Sequence, residues 1–233
     1  ARVIEFTSDA THAGMTPDNW TVDNCLIVSQ ASTTGEAIRS SNSGTITSGL
    51  AQSGWTISNN TLLGGSRGLF LNQNAGGTIR GNTIRLVSSA GNLGFAIYHL
   101  VANSATGWTM TIDRNQIDHI PTANASAGDF GLNGIYLIGV SGAATYNVTN
   151  NMIGGWAFTG AASDATYQGI RVQGGNASLT VNIEHNSINM NNTASVMGAT
   201  AGSTYAIGRV AAATPPVMNI NNNIIRYLQT GTN

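Results

Sequence analysis

The chain has 233 residues with a formal net charge of −1, and only 8% of its residues are charged. A balance so near neutral excludes a basic field for nucleic acid or an anionic membrane, and no apolar run reaches the roughly 18 residues of a membrane span. Cys25 is the single cysteine, so neither an internal disulfide framework nor a cysteine zinc site is open to this chain.

All the cations are Arg, and the polar remainder is Asn, Gly, Ser and Thr. That composition disfavours helix and favours short strands joined by turns. A polar, weakly charged surface also leads us to expect an extracellular or cell-surface setting.

Residues 1–19 read as a lead-in strand and loop, and from Trp20 onward a motif recurs. Its copies are WTVDNCLI (20–27), WTISNNTL (55–62), GTIRGNTI (77–84), MTIDRNQI (110–117), YNVTNNMI (146–153), VNIEHNSI (181–188) and MNINNNII (218–225). One apolar column holds Val22, Ile57, Ile79, Ile112, Val148, Ile183 and Ile220. A second holds Ile27, Leu62, Ile84, Ile117, Ile153, Ile188 and Ile225. Between them lie Asn60, Asn82, Asn115, Asn151, Asn186 and Asn223, with Cys25 in the first copy. Asn suits a turn because it tolerates left-handed backbone angles. Stacked in register, its amides are expected to bond from copy to copy as a ladder.

A second motif, a small residue followed by an aliphatic one, alternates with the first: Ala37-Ile38, Gly68-Leu69, Ala96-Ile97, Gly134-Ile135, Gly169-Ile170 and Ala206-Ile207. The shortest return to the Asn column, Asn60 to Asn82, takes 22 residues. Longer returns carry small, polar, Gly-rich segments at 88–94, 121–133, 157–167 and 191–205, read as loops. Short strands, stacked columns and variable loops predict an all-β solenoid. A propeller blade needs four strands in about 40 residues, too many for the shortest copy.

The GIxV-like and NTI-like strands resemble the right-handed parallel β-helix family, in the pectate-lyase-like superfamily. The resemblance implies a single β-helix domain over 1–233, with about six to seven coils over 20–233 and variable Gly/Ser/Asn-rich loops. The paired TYxI or GIYL and VNIxxNSI strands look like the long repeat arrays of large secreted and cell-surface proteins, notably from Bacteroidetes. The missing initiator Met and secretion signal, and the stop at LQTGTN just after a copy, lead us to expect a piece of a longer protein.

The densest knot of titratable groups is MTIDRNQIDHI (110–120), with Asp113, Arg114, Asp118 and His119. In register, Asp113 stands against Arg80 and Asp118 against Arg85 one copy earlier. Facing opposite charges are ordinary cross-strand pairs, contributing about 0–1 kcal/mol each at a surface. The chemical alternative is an acid/base pair, since glycoside hydrolysis needs two carboxyls about 5–9.5 Å apart. The resemblance to β-helix polysaccharide lyases adds a second alternative, an acidic calcium site beside an Arg.

Neighbouring copies place Ser58, Thr149, Glu184, Leu63, Gly154 and Asn189 in these columns, so no acidic cluster accumulates. Outside a lyase, no metal or cofactor is expected. His12, His99 and His185 have no metal-ligand partner at short spacing. Trp20 and Trp55 lead their copies and can stack on each other at a corner or offer faces to a glycan.

The leading expectation is a non-enzymatic structural or adhesive segment, whose partners are neighbouring coils or domains and a cell-surface glycan. The competing one is a polysaccharide lyase, glycoside hydrolase or glycan-binding β-helix using the face of Arg80, Arg85, Asp113, Asp118 and His119. A trimeric fibre or tail-spike module is the third.

Overall fold

A computed structural model describes residues 2–8, 19–29, 35–42, 53–72, 74–86, 94–101, 106–119, 132–139, 142–155, 167–174, 177–190, 204–210 and 214–226. The four loop segments read above lie almost wholly outside these residues, as do His12 and the side chain of His119. The described chain is all strand and turn, with no helix long and apolar enough to cross a membrane.

The strands form three parallel sheets of seven strands each. The first sheet stacks Arg2–Ser8, Glu36–Asn42, Arg67–Asn72, Gly94–Val101, Leu132–Gly139, Tyr167–Gly174 and Thr204–Val210. The second runs from Thr21–Asp23 through Trp55–Ser58, Gly77–Arg80, Trp108–Asp113, Ala144–Thr149 and Leu179–Glu184 to Val217–Asn221. The third carries Leu26–Ser29, Thr61–Gly64, Thr83–Leu86, Gln116–His119, Met152–Gly154, Ser187–Asn189 and Ile224–Arg226. Each coil takes one strand from each sheet in turn, so the architecture is a parallel β-helix.

The expected columns pair in register, for example Ile79 with Ile112 and Ile112 with Val148, or Ile84 with Ile117 and Ile117 with Ile153. Both columns are buried through the middle coils and meet the aliphatic column Ile38, Leu69, Ile97, Ile135 and Ile170 of the first sheet. Burying each such side chain contributes about 1.5–3 kcal/mol. The small residue before that aliphatic has a steric cause. A Cβ on Gly134 or Gly169 would come within 2.7 Å of Cγ2 of Ile153 or Ile188.

Two residues suffice to pass from the second sheet to the third in every coil. The second of the pair is the ladder Asn, and its bonds repeat. Asn82 Nδ2 and its backbone N both donate to Asn115 Oδ1 at 3.0 Å, and Nδ2 also donates to the Ile57 carbonyl at 2.9 Å. The pattern runs from Asn60 to Asn223, and the Cys25 backbone N donates to Asn60 Oδ1 at its start. An outer pair of bonds, Asn182 to Asn147 and Asn219 to Asn182, adds a shorter ladder on the second sheet.

The left-handed residue is the first of the pair, not the ladder Asn as its turn preference suggested. Asn24, Asn59, Gly81, Arg114, Asn150, His185 and Asn222 all have φ between 52° and 65°. The physical reason is a division of labour: the exposed residue reverses the chain, and the next points its amide into the stack.

Candidate functional site

Asp113 closes the strand Trp108–Asp113, and alternation aims it outward, yet only 8% of it is exposed. Its Oδ1 accepts from Thr149 Oγ1 and Asn150 Nδ2, both at 2.9 Å. Its Oδ2 accepts from Arg114 Nε at 2.9 Å and faces Arg80 Nε at 3.5 Å. Burial alone would raise the carboxyl's pKa. The bonds from Asn150, Thr149 and Arg114 outweigh it and hold the group below the ordinary carboxylate value. A carboxylate kept ionised and fully hydrogen-bonded is a poor general acid.

Asp118 pairs with Arg85 at 2.9 Å, as the register requires. It stands on the third sheet, so the corner at Arg114 and Asn115 separates it from Asp113 and the two do not share a face. The connections flanking this corner are only two residues long and raise no walls around it. Calcium takes six to eight oxygens, whereas the charges nearest Asp113 are two guanidinium groups. The residues present do not fit a calcium site there. Among the described residues, no three of His, Cys, Asp and Glu come together to hold a metal ion.

Trp20 and Trp55 stack on each other, with centroids 5.4 Å apart and planes 13° apart. They stack inside the coil rather than at a corner, because their column alternates with Val22 and Ile57 on the inward side. Trp55 has no exposed surface, so a sugar cannot reach its face, and Phe6 covers Trp20 at 4.0 Å. Gly77, next in the column, makes room: a Cβ there would lie 2.3 Å from the Trp55 ring. The Trp-Thr-Ile alternation already carried this signal.

His99 is wholly buried against Trp55, Trp108 and Tyr146 and shares a 2.8 Å hydrogen bond between its Nδ1 and the Tyr146 hydroxyl. Burial lowers its pKa to about 3, outweighing the opposing effect of the Ala75 backbone. The imidazole is therefore neutral at ordinary pH, and burial pushes the Tyr146 phenol up.

Sequence reasoning missed the outer face of the first sheet. The residue after each small–aliphatic pair forms an outward column, Arg39, Phe70, Tyr98, Tyr136 and Arg171. Phe70 stacks on Tyr98 at 4.7 Å, the guanidinium groups of Arg39 and Arg67 lie 5.0 and 4.8 Å from the Phe70 ring centre, and Arg171 lies 4.7 Å from that of Tyr136. Burial pushes the Tyr136 phenol up to about 12, and its hydroxyl donates to Gln173 Oε1. Beside the row, Glu36 meets Arg67 at 2.8 Å, Arg39 at 3.1 Å and Arg2 at 3.4 Å. The stacked faces and cations leave these rings little open face for a sugar.

A groove of about 480 Å³ crosses the second sheet beside the corner, lined by Thr56, Thr78, Arg80, Gly81 and Arg114 among others. A second, of about 340 Å³, lies on the third sheet around Gly154 and Asp118. Comparison with known proteins adds no further assignment: no protein family, curated protein or solved structure matches the chain.

Proposed function

We propose that the chain is a non-enzymatic structural and adhesive β-helix segment of an extracellular or cell-surface protein. One observation carries this reading. The strongest acid/base candidate, Asp113, has both oxygens occupied by four partners. The nearest carboxylate in its column, Glu184, lies two strands away, about 9.6 Å at the usual strand spacing, and accepts from Asn221. A finer kinship with the pectate-lyase-like superfamily, and with the surface-protein arrays of Bacteroidetes, belongs to the same proposal. The regular coils and the Asn ladder support it. Neighbouring coils or domains and a surface glycan are the partners this role requires.

The test is a turnover screen of the purified chain on acidic and neutral polysaccharides, with and without calcium. The expected result is no reducing-end or unsaturated product. Turnover that disappears in Asp113→Asn would overturn the proposal in favour of a lyase or glycosidase.

A further inference from the structure

The knot around Asp113 has a feature that neither salt pairing nor catalysis uses. A single carboxylate oxygen faces the Nε of two arginines, Arg80 and Arg114. Contact through Nε uses the side-on edge and leaves the end-on Nη1/Nη2 edge of each guanidinium group, which among the described residues makes no other hydrogen bond or ion pair. The two side chains are 51% and 61% exposed, and both line the 480 Å³ groove.

Between them the corner column holds Gly81, the one glycine in a column that is otherwise Asn, Arg or His. Its missing side chain leaves room for the Asn59 amide, since a Cβ there would lie 2.8 Å from Asn59 Oδ1, and Thr56 and Thr78 line the groove beside it. Ser58 and Asn59 also line the groove, but they already donate to Asp23 at 2.6 and 3.0 Å. Those bonds, Ser58 first, hold the Asp23 carboxyl below its ordinary value. Asp23 lies two strands from Arg80, about 9.6 Å at the usual strand spacing, which is about one Debye length at ordinary ionic strength. An anion would therefore sit at the Arg114 end of the groove.

We infer that this groove is a binding site for a tetrahedral oxyanion, and specifically for a sulfate ester carried on a glycan. Guanidinium forks are suited to such groups, and two forks from different columns match a group with three acceptor oxygens. Asp113 is then a positioning residue that fixes both forks before the ligand arrives, which lowers the ordering cost of binding. The groove is larger than a free ion needs, and its threonine hydroxyls suit the sugar that carries the ester. The inference deepens the adhesive reading and rests on it for the source of the ester.

The test is calorimetric titration at fixed ionic strength with a defined sulfated hexasaccharide, its desulfated counterpart and sodium sulfate. The sulfated sugar should bind at least about tenfold more tightly than the desulfated one. Arg80→Gln and Arg114→Gln should each weaken it at least about tenfold, the loss of one charge-assisted contact. Asp23→Asn should tighten binding. Gly81→Asn keeps both arginines and places at the corner a residue found there in four other coils, and it crowds the groove by pushing on the Asn59 amide, whose Oδ1 would lie 2.8 Å from the new Cβ. It too should weaken binding. Arg85→Gln, across the corner, should change affinity less than twofold.

Equal affinity for the two hexasaccharides, a response to sodium sulfate alone, or an equal loss in Arg85→Gln would each overturn the inference. A chain that binds neither sugar and turns over no polysaccharide fails here while leaving the structural reading intact.

Discussion

At the corner between the second and third sheets, every coil crosses in two residues, and each ladder amide bonds its counterpart in the next coil. The outer face of the first sheet is built differently. There Glu36 gathers three arginines, aromatic rings stack in a row, and Arg67 Nε, Asn72 Oδ1 and Gln168 Oε1 are buried without a hydrogen-bond partner among the described residues. The corner repeats one solution; the face assembles several local ones. Orphaned buried polar groups are costly but also occur inside the coil, at Trp55 Nε1, His99 Nε2 and Ser29 Oγ, so it is the repeated amide bonds of the corner that lead us to expect stability to concentrate there. The face has more freedom to change its residues.

Ile117→Asp gives the largest expected effect, because it buries a charge between Ile84 and Ile153. A loss above about 4 kcal/mol is expected, read as collapse of the urea midpoint. Leu26→Asp, on the same sheet but 67% exposed, should stay near the parent. An unchanged midpoint in Ile117→Asp would remove the basis for the column. Asn115→Leu comes next. It takes the acceptor from the Asn82 backbone N and Nδ2 and the donor from the Ile79 carbonyl, for an expected loss of about 3–4 kcal/mol. Asn223→Leu, at the partly exposed end of the ladder, should lose about 1 kcal/mol.

A pH scan separates the core from both regions. The folded pKa of His99 is about 3 against an ordinary 6.5, so the unfolded chain binds that proton first. Its contribution is whole above pH 6.5 and falls toward pH 3 by about 1.4 kcal/mol per pH unit. Asp113 is shifted the same way from a lower starting point: its stabilisation is present above about pH 3.9 and is lost as pH falls through its lowered folded value. His99→Leu should therefore flatten stability between pH 6.5 and 4.5, at a constant cost from the orphaned Tyr146 hydroxyl. A slope that persists would place the titration elsewhere. On the first sheet, Glu36→Gln should lose about 2 kcal/mol, less than Asn115→Leu, because its arginine partners keep partial contact with water. A loss larger than that of Asn115→Leu would reverse the ranking of the two regions.

The same contrast explains what could be read from the residues alone. Ile112, Ile117 and Asn115 were legible because each packs against a copy of itself, and identical surroundings select identical side chains. Outward positions meet solvent or a different neighbour in every coil, so Arg39, Phe70, Tyr98, Tyr136 and Arg171 mix arginine with aromatic rings and repeat no single residue type. Only register reveals them as one row. The Arg80–Asp113 and Arg85–Asp118 pairs were legible through register, but Arg114 was not, since its role follows from a corner conformation. The left-handed column was misassigned because Asn is common at both corner positions. Arg114 and His185 are the residues that break its resemblance to a run of Asn and Gly.

Those two residues supply the smallest effect and the most discriminating one. His185 is exposed, with φ 57° and one described side-chain contact, to Asn222 at 3.4 Å. Asn takes that conformation more readily, and four other coils use it there. His185→Asn should thus raise stability by a few tenths of a kcal/mol. Arg114→Asn gains the same conformational ease at φ 55° but loses the 2.9 Å bond to Asp113, so its sign should be negative. Opposite signs in paired urea titrations would show that Arg114 is held at the corner by its carboxylate, against its backbone preference. Equal gains would mean that the corner is one uniform turn and that Asp113 fixes nothing.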